Sequence, residues 1–217
     1  MNLLIFDLDG TLIDSKLDLV HSVNAARSLM NLPAISEELV ASYVGNGAPV
    51  LMRRALGPEA SEADVQRALE YFLGYYREHM LDNTRLYPNV REALDRLRDA
   101  GSNMAVLTNK PVRFSRELVA GLGLGKHFFQ VYGGNSFEQK KPDPIGIETL
   151  LRESGVARER AIMVGDSGVD IRTARNAQIR ACGVTYGFQP EGFTEDPPDL
   201  VVDDMNDLAD YVLAELN

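Results

Sequence analysis

Asp7-Leu8-Asp9-Gly10-Thr11 follows the apolar run Leu3–Phe6 directly. Side chains alternate in extended chain, so Asp7 and Asp9 point the same way with their carboxylates close together. Two like charges held that close are unfavourable unless a cation joins them or one keeps a proton. Gly10 lets the backbone turn sharply behind them. The plainer reading is a solvated turn, because Asp and Gly suit strand ends for backbone reasons alone.

Gly165-Asp166-Ser167 and Asp170 follow a second apolar run, Ala161–Val164. The spacing places Asp166 at the strand end and Asp170 on the same face of the helix that opens there. A helix cap explains one acid at such a position but not the pair. Thr108-Asn109-Lys110 closes a third run, Met104–Leu107. A hydroxyl, an amide and turn amides at a strand end suit phosphate oxygens, with a capped loop as the alternative. In Lys140-Lys141-Pro142-Asp143-Pro144 two prolines fix the backbone before a helical pattern, although lysine pairs are ordinarily solvated.

The conjunction says more than any one motif. In an open α/β sheet, ligands bind beyond the carboxyl ends of the strands, and Asp7, Thr108 and Asp166 occupy that edge of three separate runs. Asp7, Asp9, Asp166 and Asp170 are four negative charges when ionised. Lys141 cancels one, a divalent cation two more, and a proton kept on Asp9 the last. An all-oxygen carboxylate set points to Mg²⁺ rather than zinc. His21, His79, His127 and Cys182 lie away from these motifs, which removes zinc and thiol chemistry.

The elements that must position these residues are legible as continuous apolar runs, the mark of strands buried on both faces. Cys182–Tyr186 is a fourth run, and Phe129–Tyr132 and Leu200–Val202 are weaker ones. Helical patterns lie between them. Val90, Ala93, Leu94 and Leu97 precede Gly101; Ile147, Leu150 and Leu151 precede Gly155; Ile171 and Ala174 follow Asp170. The alternation predicts a doubly wound, Rossmann-like parallel sheet. From about Ser15 to Arg85 the rhythm breaks into successive helical patterns without a strand signal. The clearest runs Val65, Ala68, Leu69, Phe72, Leu73, Tyr76, behind a capping box from Ser61 to Asp64. An inserted helical unit over residues 15–85 is expected, with 1–14 and 86–217 forming the core.

The 217 residues are 45% hydrophobic and 25% charged, which excludes disorder, collagen and coiled coil. A net charge of −10 repels phosphodiester backbones, so no nucleic-acid partner is expected. No apolar run approaches the ~18 residues of a membrane span. The start is neither basic nor long enough in apolar residues for a signal peptide. One cysteine forms no internal disulfide. The expectation is a cytoplasmic α/β protein with no membrane partner.

DLDGT at 7–11, TNK at 108–110, KPDP at 141–144 and GDSGVD at 165–170 resemble, in order, the four motifs of the haloacid dehalogenase-like hydrolases. The resemblance covers essentially the whole chain, and the helical insertion is similar to that family's small α-helical cap. YVGNGAPVLMRRALG at 43–57 and LYPNV at 86–90 resemble the phosphoglycolate phosphatase subgroup. The resemblance implies a Mg²⁺-dependent phosphatase acting on a small phosphorylated metabolite. Asp7 would be the nucleophile, forming an aspartyl-phosphate, and Asp9 the general acid and base. Asp7, the main-chain oxygen of Asp9, and Asp166 would hold the metal, with Asp170, Ser167 and Gly10 in support. Thr108, Asn109 and Lys141 would hold the phosphoryl oxygens; Lys141 is preferred to Lys140 because the family's lysine directly precedes the proline.

Neighbouring chemistries fit less well. Dehalogenases lack the second aspartate, which is Asp9 here. β-Phosphoglucomutases carry a cap histidine where this chain has Leu19, and phosphonatases need a cap lysine, for which only Lys16 near the hinge is available. A sugar-phosphate phosphatase or β-phosphoglucomutase-like phosphotransferase of the same superfamily, and a non-catalytic binding protein on this fold, remain as alternatives. For substrate choice, Lys16, Arg27, Arg53, Arg54, Arg67 and Arg77 read mostly as solvated helix faces. The Gly45-Asn46-Gly47 turn offers helix-start amides to a small carboxylate, or is an ordinary turn between helices.

Overall fold

The computed structural model describes residues 1–194 and 196–215. Strand β1 (Leu3–Phe6) leads to a short strand β2 (Ile13–Asp14) and then to four helices: α1 (Lys16–Leu29), α2 (Glu37–Tyr43), α3 (Ala48–Leu56) and α4 (Glu62–His79). A second short strand, β3 (Arg85–Leu86), pairs antiparallel with β2, Ile13 opposite Leu86. Helices and strands then alternate through α5 (Val90–Asp99), β4 (Asn103–Leu107), α6 (Val112–Gly121), β5 (Gln130–Tyr132), α7 (Ile145–Ser154) and β6 (Ala161–Gly165). The chain continues through α8 (Gly168–Asn176), β7 (Arg180–Val184), β8 (Leu200–Val202) and α9 (Met205–Glu215).

Six strands form one parallel sheet in the order β5-β4-β1-β6-β7-β8. This is the α/β architecture the apolar runs predict. Every residue of β1 is buried, and its side chains divide between two cores. Leu4 and Phe6 join Met104, Val106, Ile162 and Val164 beneath α5, α6 and α9, while Leu3 and Ile5 join Ala105, Leu107 and Met163 beneath α7 and α8. Burial on both faces explains why these strands are continuously apolar rather than alternating.

Strand order is what assembles the site. The chain passes from β1 to β4 and β5 on one side, then returns to β6 on the other, so the order reverses between β1 and β6. Crevices at such a reversal are where α/β sheets bind ligands. Phe6 pairs with both Val106 and Val164, which levels the ends of the three strands.

Several sequence expectations shift in detail. β7 begins at Arg180 because Arg180 and Ala181 pair with Ile162 and Met163, leaving Thr185 and Tyr186 beyond the strand. β2 and β3 contain two residues each, too few to register as periodicity. α8 starts at Gly168 behind its N-cap Ser167, so Asp166 lies on the preceding turn and not on a helix face shared with Asp170. Arg27, read as a solvated residue, is buried and donates to the carbonyls of Pro33 and Ala55. The capping box at Ser61 and Asp64 is present. Among the described residues no helix is long and apolar enough to cross a membrane.

Candidate active site

The carboxyl end of β1 is held in place before it is charged. The Asp7 amide continues the ladder to Val164 O at 2.9 Å, and the carbonyl of Leu8 then accepts from Thr11, Leu12 and Ile13, folding the chain back on itself. Gly10 sits at φ +81°, and a Cβ there would lie 2.1 Å from Asp166 Oδ2. Only glycine permits both the turn and that approach.

Asp7, Asp166 and Asp170 converge, each offering an oxygen within 4.8 Å of the others, and all three are buried. Lys141, also buried, places Nζ 2.9 Å from Asp7 Oδ1 and 2.6 Å from Asp170 Oδ1. Asp170 Oδ2 takes hydrogen bonds from Ser167 N at 3.2 Å and Ser167 Oγ at 2.7 Å. Asp166 accepts from Phe188 N at 2.7 Å and from Thr11 Oγ1 at 3.4 Å.

Three carboxylates around one ammonium leave a local deficit of two charges. Burial, followed by repulsion from Asp170 and Asp7, pushes the Asp166 carboxyl well above its ordinary range. Burial likewise raises Asp7 to about 6, with Lys141 opposing it and Asp170 adding to it. Lys141 is held above its ordinary value by Asp170 and Asp7, although burial works against its charge. A divalent cation fits this set, because it matches the deficit and because every donor is a hard oxygen.

Asp9 belongs to a different arrangement. Lys110 Nζ donates to both of its oxygens, at 3.0 and 2.9 Å, and Ser15 Oγ donates to Oδ1 at 2.5 Å. Lys110 also lies 4.4 Å from the centroid of the Tyr76 ring on α4. The charge tally from sequence used a proton on Asp9 to reach neutrality; the structure supplies Lys110 there. Lys110 belongs to the Thr108-Asn109-Lys110 motif, and the fold brings it to Asp9 from 101 residues away.

The remaining members of the motifs meet at the same edge. Thr108 Oγ1 accepts from Lys110 N at 3.3 Å, and both Thr108 and Asn109 are buried. Asn109 Nδ2 donates to Gly45 O at 2.9 Å and Lys141 O at 3.0 Å, leaving its Oδ1 without a partner. Lys140 is exposed and donates to Asn46 O at 2.6 Å. Gln189, which the sequence did not suggest, donates to Val44 O at 2.8 Å and Ala41 O at 3.1 Å at the end of α2. Gly47, at φ +83°, rests against the core: a Cβ there would lie 3.1 Å from Asn109 O. The turn between α2 and α3 is thus tied down at three points.

Beneath that turn lies a pocket that Gly45 and Gly47 help to line. Asp7, Asp9, Thr108, Asn109, Lys110 and Asp166 form its polar side. Leu19, Leu51, Phe72, Leu73 and Phe114 supply much of its apolar wall. Lys16, Arg27, Arg53, Arg54, Arg67 and Arg77 do not line it. Arg53 pairs with Glu62 and Arg77 with Glu78. The histidines are elsewhere: His21 is exposed, His79 contacts Asp82 and His127 contacts Asp95.

A parallel sheet whose strand-end carboxylates surround a lysine, under a group of helices inserted after the first strand, is an arrangement known from other chains. Residues 4–184 match the model of the haloacid dehalogenase-like hydrolases. The chain belongs to that family and is a phosphoric monoester hydrolase. It is 39% identical to a phosphoglycolate phosphatase of Vibrio parahaemolyticus, over 98% of this chain and 96% of the relative. It is 41% identical to a phosphoglycolate phosphatase of Haemophilus influenzae, over 94% of each. The crystal structure of a predicted phosphoglycolate phosphatase from Haemophilus somnus superposes with a TM-score of 0.92 at 35% identity, covering 98% of both chains.

Proposed function

We propose that this hydrolase is a Mg²⁺-dependent phosphoglycolate phosphatase, converting 2-phosphoglycolate to glycolate and phosphate. The observation that carries the reading is the buried cluster of Asp7, Asp166 and Asp170 around Lys141, two charges short of neutrality, with Asp7 and Asp166 lining the pocket under the helices. Full-length similarity to proteins bearing that name supports the substrate.

Asp7, the main-chain oxygen of Asp9, and Asp166 would hold Mg²⁺, with Asp170, Ser167 and Gly10 supporting them. The bound ion supplies charge neutralisation that lets an anionic carboxylate approach an anionic phosphoryl group. An Asp7 carboxylate oxygen attacks phosphorus in line; the P–O bond to glycolate breaks as the P–O bond to Asp7 forms. Asp9 gives a proton to the departing alkoxide, then accepts one from the water that attacks the aspartyl-phosphate and releases phosphate. In this structure Asp9 faces the Lys110 ammonium, the arrangement suited to its second role as base. Lys141 and Thr108 orient the phosphoryl oxygens; Asn109 does so through its backbone, since its Nδ2 is engaged with Gly45 and Lys141.

Residues 15–85 act as the cap over this floor, between the core segments 1–14 and 86–217. The Gly45-Asn46-Gly47 turn closes the pocket and presents the start of α3 to the substrate. Leu19 lines the pocket, where a mutase would require a histidine, and Lys16 stands over the Phe188 ring at 5.5 Å. Neither feature favours transfer to a sugar or Schiff-base chemistry. The apolar walls also speak against sugar phosphates, whose hydroxyls would be buried with few partners. A panel of phosphorylated metabolites assayed with Mg²⁺ and ranked by kcat/KM tests the reading. Phosphoglycolate should lead; a sugar phosphate ranked above it would reject the proposed substrate.

A further inference from the structure

Lys110 is the only cation lining the pocket among the described residues. An ammonium has three donors. Two go to Asp9, while the third is left toward Tyr76, whose ring centroid is 4.4 Å from Nζ. Tyr76 is 1% exposed, lines the same pocket, and its hydroxyl makes no hydrogen bond. A lysine beside it can only donate, so the phenolic proton has no acceptor in the protein. Buried hydroxyls in that state are rare and costly, and the chain retains one on a residue that lines the pocket. One hydroxyl donor without an acceptor and the one ammonium among the lining residues thus lie side by side.

We propose that Tyr76 Oη and Lys110 Nζ together receive the carboxylate of the substrate. This rests on the phosphatase reading above. Asp9 must reach the ester oxygen to protonate it, and in a 2-hydroxy acid ester the carboxylate stands on the next carbon. A group two bonds beyond the ester oxygen therefore falls beside Asp9, where Lys110 is already bonded. One cation and one hydroxyl match one planar carboxylate; they do not match a polyol. Tyr76 comes from α4 and Lys110 from the end of β4, so the carboxylate would join the inserted helices to the sheet at the moment the substrate binds.

The test compares phosphoglycolate with ethyl phosphate, which has the same ester linkage and no carboxylate. In Tyr76→Phe, the ratio of kcat/KM for phosphoglycolate over ethyl phosphate should fall about tenfold, chiefly through KM, and the Tm of the free protein should not drop. Lys110→Gln should lower the same ratio further. A ratio moved less than threefold in Tyr76→Phe, or a lowered Tm with the ratio intact, overturns the assignment and leaves Tyr76 a packing residue with an ordered water on its hydroxyl. Binding gives an independent arm. Calorimetry with Mg²⁺ in an Asp7→Asn background should show phosphoglycolate bound about tenfold more weakly when Tyr76→Phe is added, with ethyl phosphate affected less than threefold. Should the unmodified protein hydrolyse neither ester while that binding difference persists, the phosphatase reading fails and the carboxylate site stands. Hydrolysis of both esters with no binding difference has the opposite meaning.

Discussion

Asp166 and Asp18 are both buried carboxylates, yet their surroundings push them in opposite directions. Asp166 has Asp170 and Asp7 for neighbours, and its carboxyl is held well above the ordinary range. Asp18, near the start of α1, accepts from the amides of Asn83 and Thr84, from Asn83 Nδ2 and from Thr84 Oγ1, and these donors draw it below that range against the effect of burial. The first site lacks positive charge; the second is satisfied by the protein alone. A buried acid ringed by donors fastens a fold, whereas one ringed by acids needs a cation. Asp9 is intermediate, with one ammonium and one hydroxyl as partners. On the proposed function, the contrast separates residues that build the molecule from those that work in it.

The largest expected effect tests the acid cluster. Asp7→Asn removes the proposed attacking oxygen and one charge with little change in volume. It should cut kcat by roughly 10⁴ or more while the circular dichroism spectrum stays native. Substantial turnover by the purified variant would remove Asp7 from the reaction.

Asp9→Asn comes next, and its effect should depend on the leaving group. Formation of the aspartyl-phosphate from phosphoglycolate should slow by about 10²–10⁴, because an alkoxide departs poorly without a proton. An activated aryl ester leaves without that help, so p-nitrophenyl phosphate should give a burst of nitrophenol followed by near-arrest in the second step. Equal losses in the burst phase for both esters would show that Asp9 is not the acid.

A third measurement addresses the cation without using turnover. A ligand that binds only the folded state raises its stability, by about 2.7 kcal/mol at a hundredfold excess over Kd. Mg²⁺ should therefore raise Tm by several degrees, and EDTA should reverse the rise. Asp166→Asn should abolish the shift, while Asp9→Asn, which keeps its main-chain oxygen, should retain most of it. A full shift in Asp166→Asn would place the ion elsewhere.

The acid cluster is legible in sequence because Asp7 and Asp166 each follow a strand that announces itself as an apolar run, and Asp170 lies four residues beyond Asp166. Which strand ends meet is set by the strand order β5-β4-β1-β6-β7-β8, which the sequence does not show. Lys110 was overlooked although it lies inside a selected motif. Its partner Asp9 is 101 residues away, and a lysine after a strand is by default solvated. The clue was available in the charge tally, where a second lysine could take the place of the proton assigned to Asp9. Tyr76 was read correctly as an inward position of α4, but periodicity says nothing about a hydroxyl at the far end of a buried ring. Gln189 sits in a loop beyond β7 with no pattern around it, and only the fold shows that it grips the end of α2. The two-residue ribbon of β2 and β3 was too short to read, and Asp18 gave no signal, since one acid early in a helix is the commonest of features.

Asp18 supplies the smallest effect and the sharpest control. Asp18→Asn keeps the shape but loses the charge, and turns an amide group toward backbone donors that need an acceptor. Hydrogen bonds to a charged group contribute about 1.5–3 kcal/mol, so a loss of that order at neutral pH is expected in urea unfolding. The sign of its pH dependence follows from the direction of the shift. The folded carboxyl lies below its ordinary 3.8, so in the unmodified protein the contribution is present in full above that value and fades as pH falls through the folded pKa. The stability gap between the unmodified protein and Asp18→Asn should therefore be constant from pH 7 to about 5 and narrow below 4. Catalysis should respond differently from Asp7→Asn: once folded, the variant keeps the strand-end carboxylates and should lose little kcat with phosphoglycolate. A gap that widens on acidification would mean that Asp18 is protonated in the fold. It would then belong with Asp166 rather than opposite it.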